Sequence, residues 1–197
     1  MKNKAVILVS GGLDSAVTLF YAIKKGYECY PLTFDYGQRH KREIEKAKYL
    51  AKKANCSWVL IKFKLPWDGS ALLDKKISVP KHRAVREIPK IVPSTYVAAR
   101  NTIFLALALS YAESIKAQAI FIGANALDFS GYPDCRPEYY QQFNRLIQLA
   151  TKAGGQGQKI KILTPLIKKT KAEIIKIGSK LKVPYGLTWS CYEGKET

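Results

Sequence analysis

The stretch Val9-Ser10-Gly11-Gly12-Leu13-Asp14-Ser15 constrains this chain more than any other. An apolar run, Ala5-Val6-Ile7-Leu8-Val9, leads into it, and a helical pattern, Ala16-Val17-Thr18-Leu19-Phe20-Tyr21-Ala22, leads out. The sequence therefore specifies a tight turn from a buried strand onto a helix N-terminus. Two glycines let the backbone turn sharply and come close to a ligand. The first helical turn leaves amide donors unpaired, facing whatever occupies the turn. Ser10 and Ser15 add hydroxyls. Such a turn is a nest for an anion, phosphate above all. A plain glycine turn is the ordinary alternative, but it does not explain why serine, glycine pair, aspartate and serine fall in register.

The turn is not the common P-loop, because no lysine follows Gly12, and it is not G-x-G-x-x-G. S-G-G-x-D-S resembles the PP-loop of ATP pyrophosphatases, which split ATP into AMP and pyrophosphate. That resemblance implies a nucleotide-binding segment of Val9, Ser10, Gly11, Gly12, Leu13, Asp14, Ser15, Ala16, Val17 and Thr18, with Asp14 helping to hold Mg²⁺.

Strand patterns recur at Glu28–Phe34, Ser57–Ile61, Ala119–Gly123 and Ile160–Leu163, separated by helical patterns at about 41–54, 96–115, 138–150 and from Thr170 on. The alternation predicts an α/β fold with a parallel five-stranded sheet and helices on both faces. In such sheets ligands sit beyond the carboxyl ends of the strands. The turn at Ser10–Ser15 lies at that edge, and so does Asp35-Tyr36-Gly37-Gln38-Arg39-His40, a candidate lining for adenine and ribose. The polar, Gly/Pro-rich stretch 124–137 is expected as a loop at the same edge, and Gly154–Gly157 as a flexible turn. Residues 64–95, with four prolines and no clear periodicity, read as a lid or substrate insertion within one domain spanning 1–197. His82 stands there without a second ligand near it, which favours an exposed side chain.

Arg100 and Asn101 open a long apolar helix, and an arginine there suits phosphate oxygens. Thr170 and Glu173 form a capping box. Lys171 opposes the helix dipole in that first turn unless an anion binds there. Affinity arithmetic calls for such helpers. A helix N-terminus contributes about 0.3–2 kcal/mol per anion, whereas micromolar ATP binding needs about 8 kcal/mol. Arg100, Lys171, Mg²⁺ and an adenine pocket of Phe34, Tyr36 and Gln38 are the expected contributors.

The net charge of +18 admits a nucleic-acid partner. The lysines are scattered over helix faces, however, and anionic small molecules also favour a positive field, so direct nucleic-acid binding is not expected. No run of about 18 apolar residues is present, so no membrane span is expected. The chain enters its first strand at once, without a leader pattern, and it has four cysteines with no C-x-x-C pair. A cytoplasmic protein with reduced thiols is the resulting expectation.

LVSGGLDS, FDYGQRH, STYVAARNTIFLALAL, FIGANALDFSGYPDCRPEYYQQFN, TPLIKKTKAEII and LTWSCYEG, in that order, resemble the 7-cyano-7-deazaguanine (preQ0) synthase family of queuosine and archaeosine biosynthesis. The resemblance implies an ATP-dependent ligase that turns 7-carboxy-7-deazaguanine and ammonia into the nitrile through adenylated intermediates. It implies catalytic roles for Asp14, Arg100 and Lys171. Asp128, Tyr132, Asp134 and Arg136 would surround the deazaguanine, with Arg136 meeting the carboxylate. No residue stands out as a general base. The family also suggests homodimers and a structural Zn²⁺ held by four cysteines. Cys191 matches the first of them, but the chain ends at Thr197 before the other three, which one thiolate cannot replace. Either the chain is truncated or this member lacks the zinc site. Two other readings stand beside the ligase: a PP-loop enzyme acting directly on tRNA, and a catalytically impaired nucleotide-binding module.

Overall fold

A computed structural model describes residues 2–38, 41–66, 70, 72–73, 93–157 and 159–189. Most of the 64–95 segment, including His82, lies outside the described residues, as does Cys191.

Five parallel strands form one sheet in the order β3-β2-β1-β4-β5, with β1 Lys4–Leu8, β2 Glu28–Asp35, β3 Val59–Lys62, β4 Ala119–Phe121 and β5 Lys161–Leu163. The helices are α1 Leu13–Lys24, α2 Arg42–Lys53, α3 Arg100–Ser114, α4 Ala126–Gly131, α5 Pro137–Ala150, α6 Lys152–Gly155 and α7 Lys171–Lys180. The parallel α/β sandwich expected from the sequence is thus present. The period-2 alternation of β1 divides its side chains between two cores. Val6 and Leu8 pack with α3 and α5, through Leu105, Phe143 and Ile147. Ala5, Ile7 and Val9 pack with α1, α2 and α7, through Leu19, Leu50 and Ile174. Each such aliphatic side chain, fully buried, contributes about 1.5–3 kcal/mol. Because β1 is buried on both faces, its sequence reads as one apolar run.

The strand order positions the site. The chain steps outward from β1 through β2 to β3, then returns to the other side of β1 with β4 and β5. The change of direction opens a crevice at the carboxyl end of β1, where the Ser10–Ser15 turn sits.

Three expectations need correction. The helix expected from Tyr96 starts at Arg100, because Ala99 takes a left-handed conformation (φ 48°) that no helix continues through. Its apolar composition also overstates its burial: Leu105, Ala108, Leu109 and Ala112 are buried, but Thr102, Ala106 and Ser110 are exposed. The stretch 124–137 is not simply a loop. Asn125 accepts hydrogen bonds from the amides of Leu127 and Asp128, and the Asp128 carboxylate accepts one from the Asn125 amide. This capping box starts α4, and a 3-10 turn over Pro133–Cys135 follows. Likewise Gly154 and Gly155 belong to a helical turn, which the Thr151 hydroxyl caps by accepting from the Gly154 amide at 2.9 Å.

Candidate active site

The turn after β1 is held in shape by its own serines. The Ser15 hydroxyl accepts from the Ser10 amide and hydroxyl, both at 3.2 Å, and donates to the Gly12 carbonyl at 2.9 Å. Ser10 Oγ accepts from the Gly12 amide at 3.3 Å. These hydroxyls therefore brace the loop. Gly11 has a φ of +88°, and a Cβ there would collide with the Glu43 carbonyl of α2. Only glycine fits, because the turn is pressed against a second helix. Gly12 caps α1 and has no side chain to accept from the first-turn amides. Gly12, Leu13, Asp14 and Ser15 line a cavity of about 520 Å³ at the carboxyl edge of the sheet.

Three groups of side chains surround this turn. On the β4 side, Lys171 at the start of α7 donates to both Asp14 carboxylate oxygens, at 2.9 and 2.7 Å. Asn125 Nδ2 also donates to Asp14, at 3.2 Å. Asp128 is the next carboxyl along. Burial raises its pKa, the Asn125 amide lowers it, Asp14 raises it, and Lys171 and Arg100 lower it. The opposite side holds an aromatic cluster. Phe34 stacks on Phe104 with centroids 4.2 Å apart, Tyr36 lies edge-on to Phe104, and Arg100 sits over both Tyr36 and Phe104 and donates to the Tyr36 hydroxyl at 3.2 Å. At the cavity's far end, Tyr132 pairs with Tyr96 and exchanges a 2.7 Å hydrogen bond with Thr95.

The cavity brings together Val9, Ser10, Gly12, Leu13, Asp14, Ser15, Phe34, Tyr36, Gln38, Arg100, Lys171, Asp128, Tyr132 and Asp134. Other expected residues serve around it. Gly11 shapes the turn, and Ala16, Val17 and Thr18 are buried beneath it, with Thr18 Oγ1 donating to the Asp14 carbonyl at 2.8 Å. Gly123 accommodates that packing, since a Cβ would stand 3.0 Å from both the Asp14 carbonyl and Thr18 Oγ1. Arg136 is exposed at the N-cap of α5 and lies outside the lining. Gln38 turns back on its own strand end, accepting from the Tyr36 amide at 2.9 Å and donating to the Phe34 carbonyl at 3.1 Å.

Asp134 carries a task that the sequence did not disclose. Its carboxylate accepts from the Asn101 amide at 3.0 Å, and its carbonyl accepts from Asn101 Nδ2 at 3.1 Å. Ala99, the N-cap residue of α3, has no side-chain oxygen, so a carboxylate from 33 positions away supplies the cap and thereby places Arg100. Asn101 Nδ2 also donates to Cys135 Sγ at 3.2 Å, and burial pushes that thiol up to about 12. Cys135 is thus a packed thiol facing the cavity, with little thiolate character.

Asn101, conspicuous in the sequence beside Arg100, also lines the cavity, as do Glu43, Tyr96 and Trp189, for which sequence reasoning assigns no site role. The signal for Glu43 is its place, in the first turn of the helix that follows FDYGQRH. Trp189 donates its amide to the Gly11 carbonyl at 2.9 Å and packs under Arg42, tying the end of the described chain to the turn. Among the described residues there is no cluster of three or more metal-ligating side chains and no helix long and apolar enough to cross a membrane.

A glycine turn at the switch point of a parallel sheet, opening onto a cavity with a paired lysine and carboxylate at its mouth, defines a doubly wound α/β protein. Solved structures with this fold include NMN synthetase from Francisella tularensis (TM-score 0.55, 18% identity, 94% of this chain and 64% of that one). NH3-dependent NAD synthetase from Campylobacter jejuni is another (TM-score 0.52, 16% identity, 95% and 67%). The model of the family described as queuosine biosynthesis protein QueC matches residues 4–197, and the chain belongs to that family. Its curated relatives include the 7-cyano-7-deazaguanine synthases of Nostoc punctiforme, 51% identical over 98% of this chain and 87% of that protein, and of Picrophilus torridus, 50% identical over 98% and 80%.

Proposed function

We propose that this protein is an ATP-dependent 7-cyano-7-deazaguanine synthase, joining 7-carboxy-7-deazaguanine and ammonia and releasing AMP and pyrophosphate. The observation that carries the reading is the braced turn at Ser10–Ser15, opening an uncapped helix N-terminus onto the cavity, in a chain about half identical to named synthases along nearly its whole length. A carboxylate oxygen is a poor leaving group. Attaching AMP to it makes it leave, and the turn holds the departing pyrophosphate. The amide formed by ammonia is activated at its oxygen in the same way, and loss of a second AMP leaves the nitrile.

In this reading the amides of Leu13 to Ser15 bind pyrophosphate, and Lys171 exchanges Asp14 for phosphate oxygens. Arg100 neutralises charge from the other side. Phe34, Phe104 and Tyr36 form an apolar wall for adenine. Asp128 accepts from the guanine-like N–H and amino groups, with Tyr132 and Tyr96 against the ring. Mg²⁺ suits the Asp14 carboxylate, since this ion takes one or two carboxylates and completes its shell with phosphate oxygens and water. When bound it supplies charge neutralisation of the phosphates. Zn²⁺ has no such donor set among the described residues, and no step depends on it. A homodimer in the cytoplasm completes the proposal, as the family resemblance implies.

The test is AMP release from ATP with 7-carboxy-7-deazaguanine and ammonium, followed by mass spectrometry of the base. AMP with a nitrile product is expected. ATP binding without AMP release would instead assign a binding module.

A further inference from the structure

The cavity holds one carboxyl group that this reading leaves without a task. Glu43 stands in the first turn of α2, where its backbone carbonyl meets Gly11. Glu43 lines the cavity with Ser10, Gly12, Asp14 and Arg100, and its carboxyl lies near enough to Arg100 to feel that charge. The other three carboxylates are engaged: Asp14 by Lys171 and Asn125, Asp128 by the Asn125 amide, and Asp134 by the Asn101 amide. Nothing among the described residues hydrogen-bonds Glu43. The titratable and charged groups that share the lining with it are Arg100 from α3, Tyr36 just past β2, and Asp14 and Lys171 on the far side of the turn, while Arg42 and Lys46 are its neighbours on α2. Burial pushes its carboxyl up to about 7, and the charge of Arg100 pulls the other way.

We propose that Glu43 is the base that takes protons from the reacting nitrogen, a role that rests on the nitrile-forming function proposed above. The chemistry requires one. Ammonia adding to the acyl adenylate gives a tetrahedral species bearing an NH₃⁺ group. Collapse to the amide expels AMP and must shed one proton from nitrogen. In the second half, the O-adenylated amide carries C=NH₂⁺. Forming the nitrile breaks the C–O bond, sends that electron pair out on AMP, and releases two protons from nitrogen. Glu43 accepts these protons one at a time as a carboxylate and, being only half-buried, passes each to solvent before the next. A base serves best when it titrates near the working pH.

The experiment compares wild type with E43Q and E43D at constant free ammonia. Amide and nitrile formation are followed against pH, and ATP affinity is measured separately. Wild-type kcat/KM should rise with pH, half-maximal near 7, and level off about one unit higher. E43Q should lose that rising limb and fall about 10²-fold or more, with ATP affinity within about 3-fold (an allowance of ~0.65 kcal/mol at RT of ~0.59). E43D should keep the limb at a reduced rate. An E43Q enzyme that makes nitrile at near wild-type rate with the limb intact overturns the proposal. So does an intact limb with a raised magnesium requirement, which would make Glu43 a cation ligand. Wild-type protein that yields no nitrile overturns the functional reading, and this proposal with it.

Discussion

Glu43 and Lys171 lie on opposite sides of the same turn, and each makes a prediction of its own. The folded protein holds the Glu43 proton more tightly than the unfolded chain does, because its carboxyl titrates near 7 instead of at the ordinary 4.5. The stability it contributes is therefore complete below about pH 4.5 and is lost as pH rises through 7. E43Q should match wild type in thermal unfolding at pH 4 and exceed it at pH 8; equal midpoints at both pH values would contradict the burial argument. Lys171 holds Asp14 in place and, in the proposed function, moves to the phosphates. Lys171→Met should lower kcat/KM by about 10²-fold or more in an AMP-release assay, the scale of removing one charge-stabilising donor from a transition state. A change within about 3-fold would place the lysine outside the chemistry.

At the scale of elements, α3 shows how far local sequence reaches. Its apolar body was legible as a helix because Ile103 to Leu109 can be buried, yet its first turn was not. The residue at its N-cap is Ala99, and the group that replaces a capping side chain is Asp134, which only the folded chain brings near. Asp134→Ala should leave the Asn101 amide without its acceptor and lower stability by about 1–3 kcal/mol, read as a fall in the denaturant midpoint at unchanged slope. An unchanged midpoint would deny Asp134 the capping role. By contrast, α7 was legible at its start, because Thr170 and Glu173 cap it locally: Glu173 accepts from the Thr170 amide at 2.9 Å. The end of α1 was likewise local. The Gly26 amide donates to Ile23 and the Tyr27 amide to Ala22, closing the helix with residues adjacent in sequence. The 124–137 stretch reads as loop from its Gly and Pro content, yet a capping box of Asn125 and Asp128 starts a helix within it. Glu43 is not legible in the sequence for a related reason. On an amphipathic, charged helix one more glutamate looks like a solvated face, and only packing against Gly11 turns it inward.

The whole molecule places these elements around one reversal of strand order. Because β1 lies between β2 and β4, the turn that follows it faces α2 and α3 on one side and α4 and α7 on the other. The cavity thereby gathers a glycine turn, an aromatic wall, a lysine–carboxylate pair and a half-buried carboxyl from elements far apart in sequence. The central claim is that this arrangement activates the same carbon twice by attaching AMP to oxygen. The most direct measurement supplies 7-carboxy-7-deazaguanine labelled with ¹⁸O in both carboxylate oxygens and follows the label by mass spectrometry. Two AMP molecules per nitrile, each carrying one ¹⁸O, with unlabelled pyrophosphate, is the predicted result. Unlabelled AMP, or ADP and phosphate in its place, would contradict it.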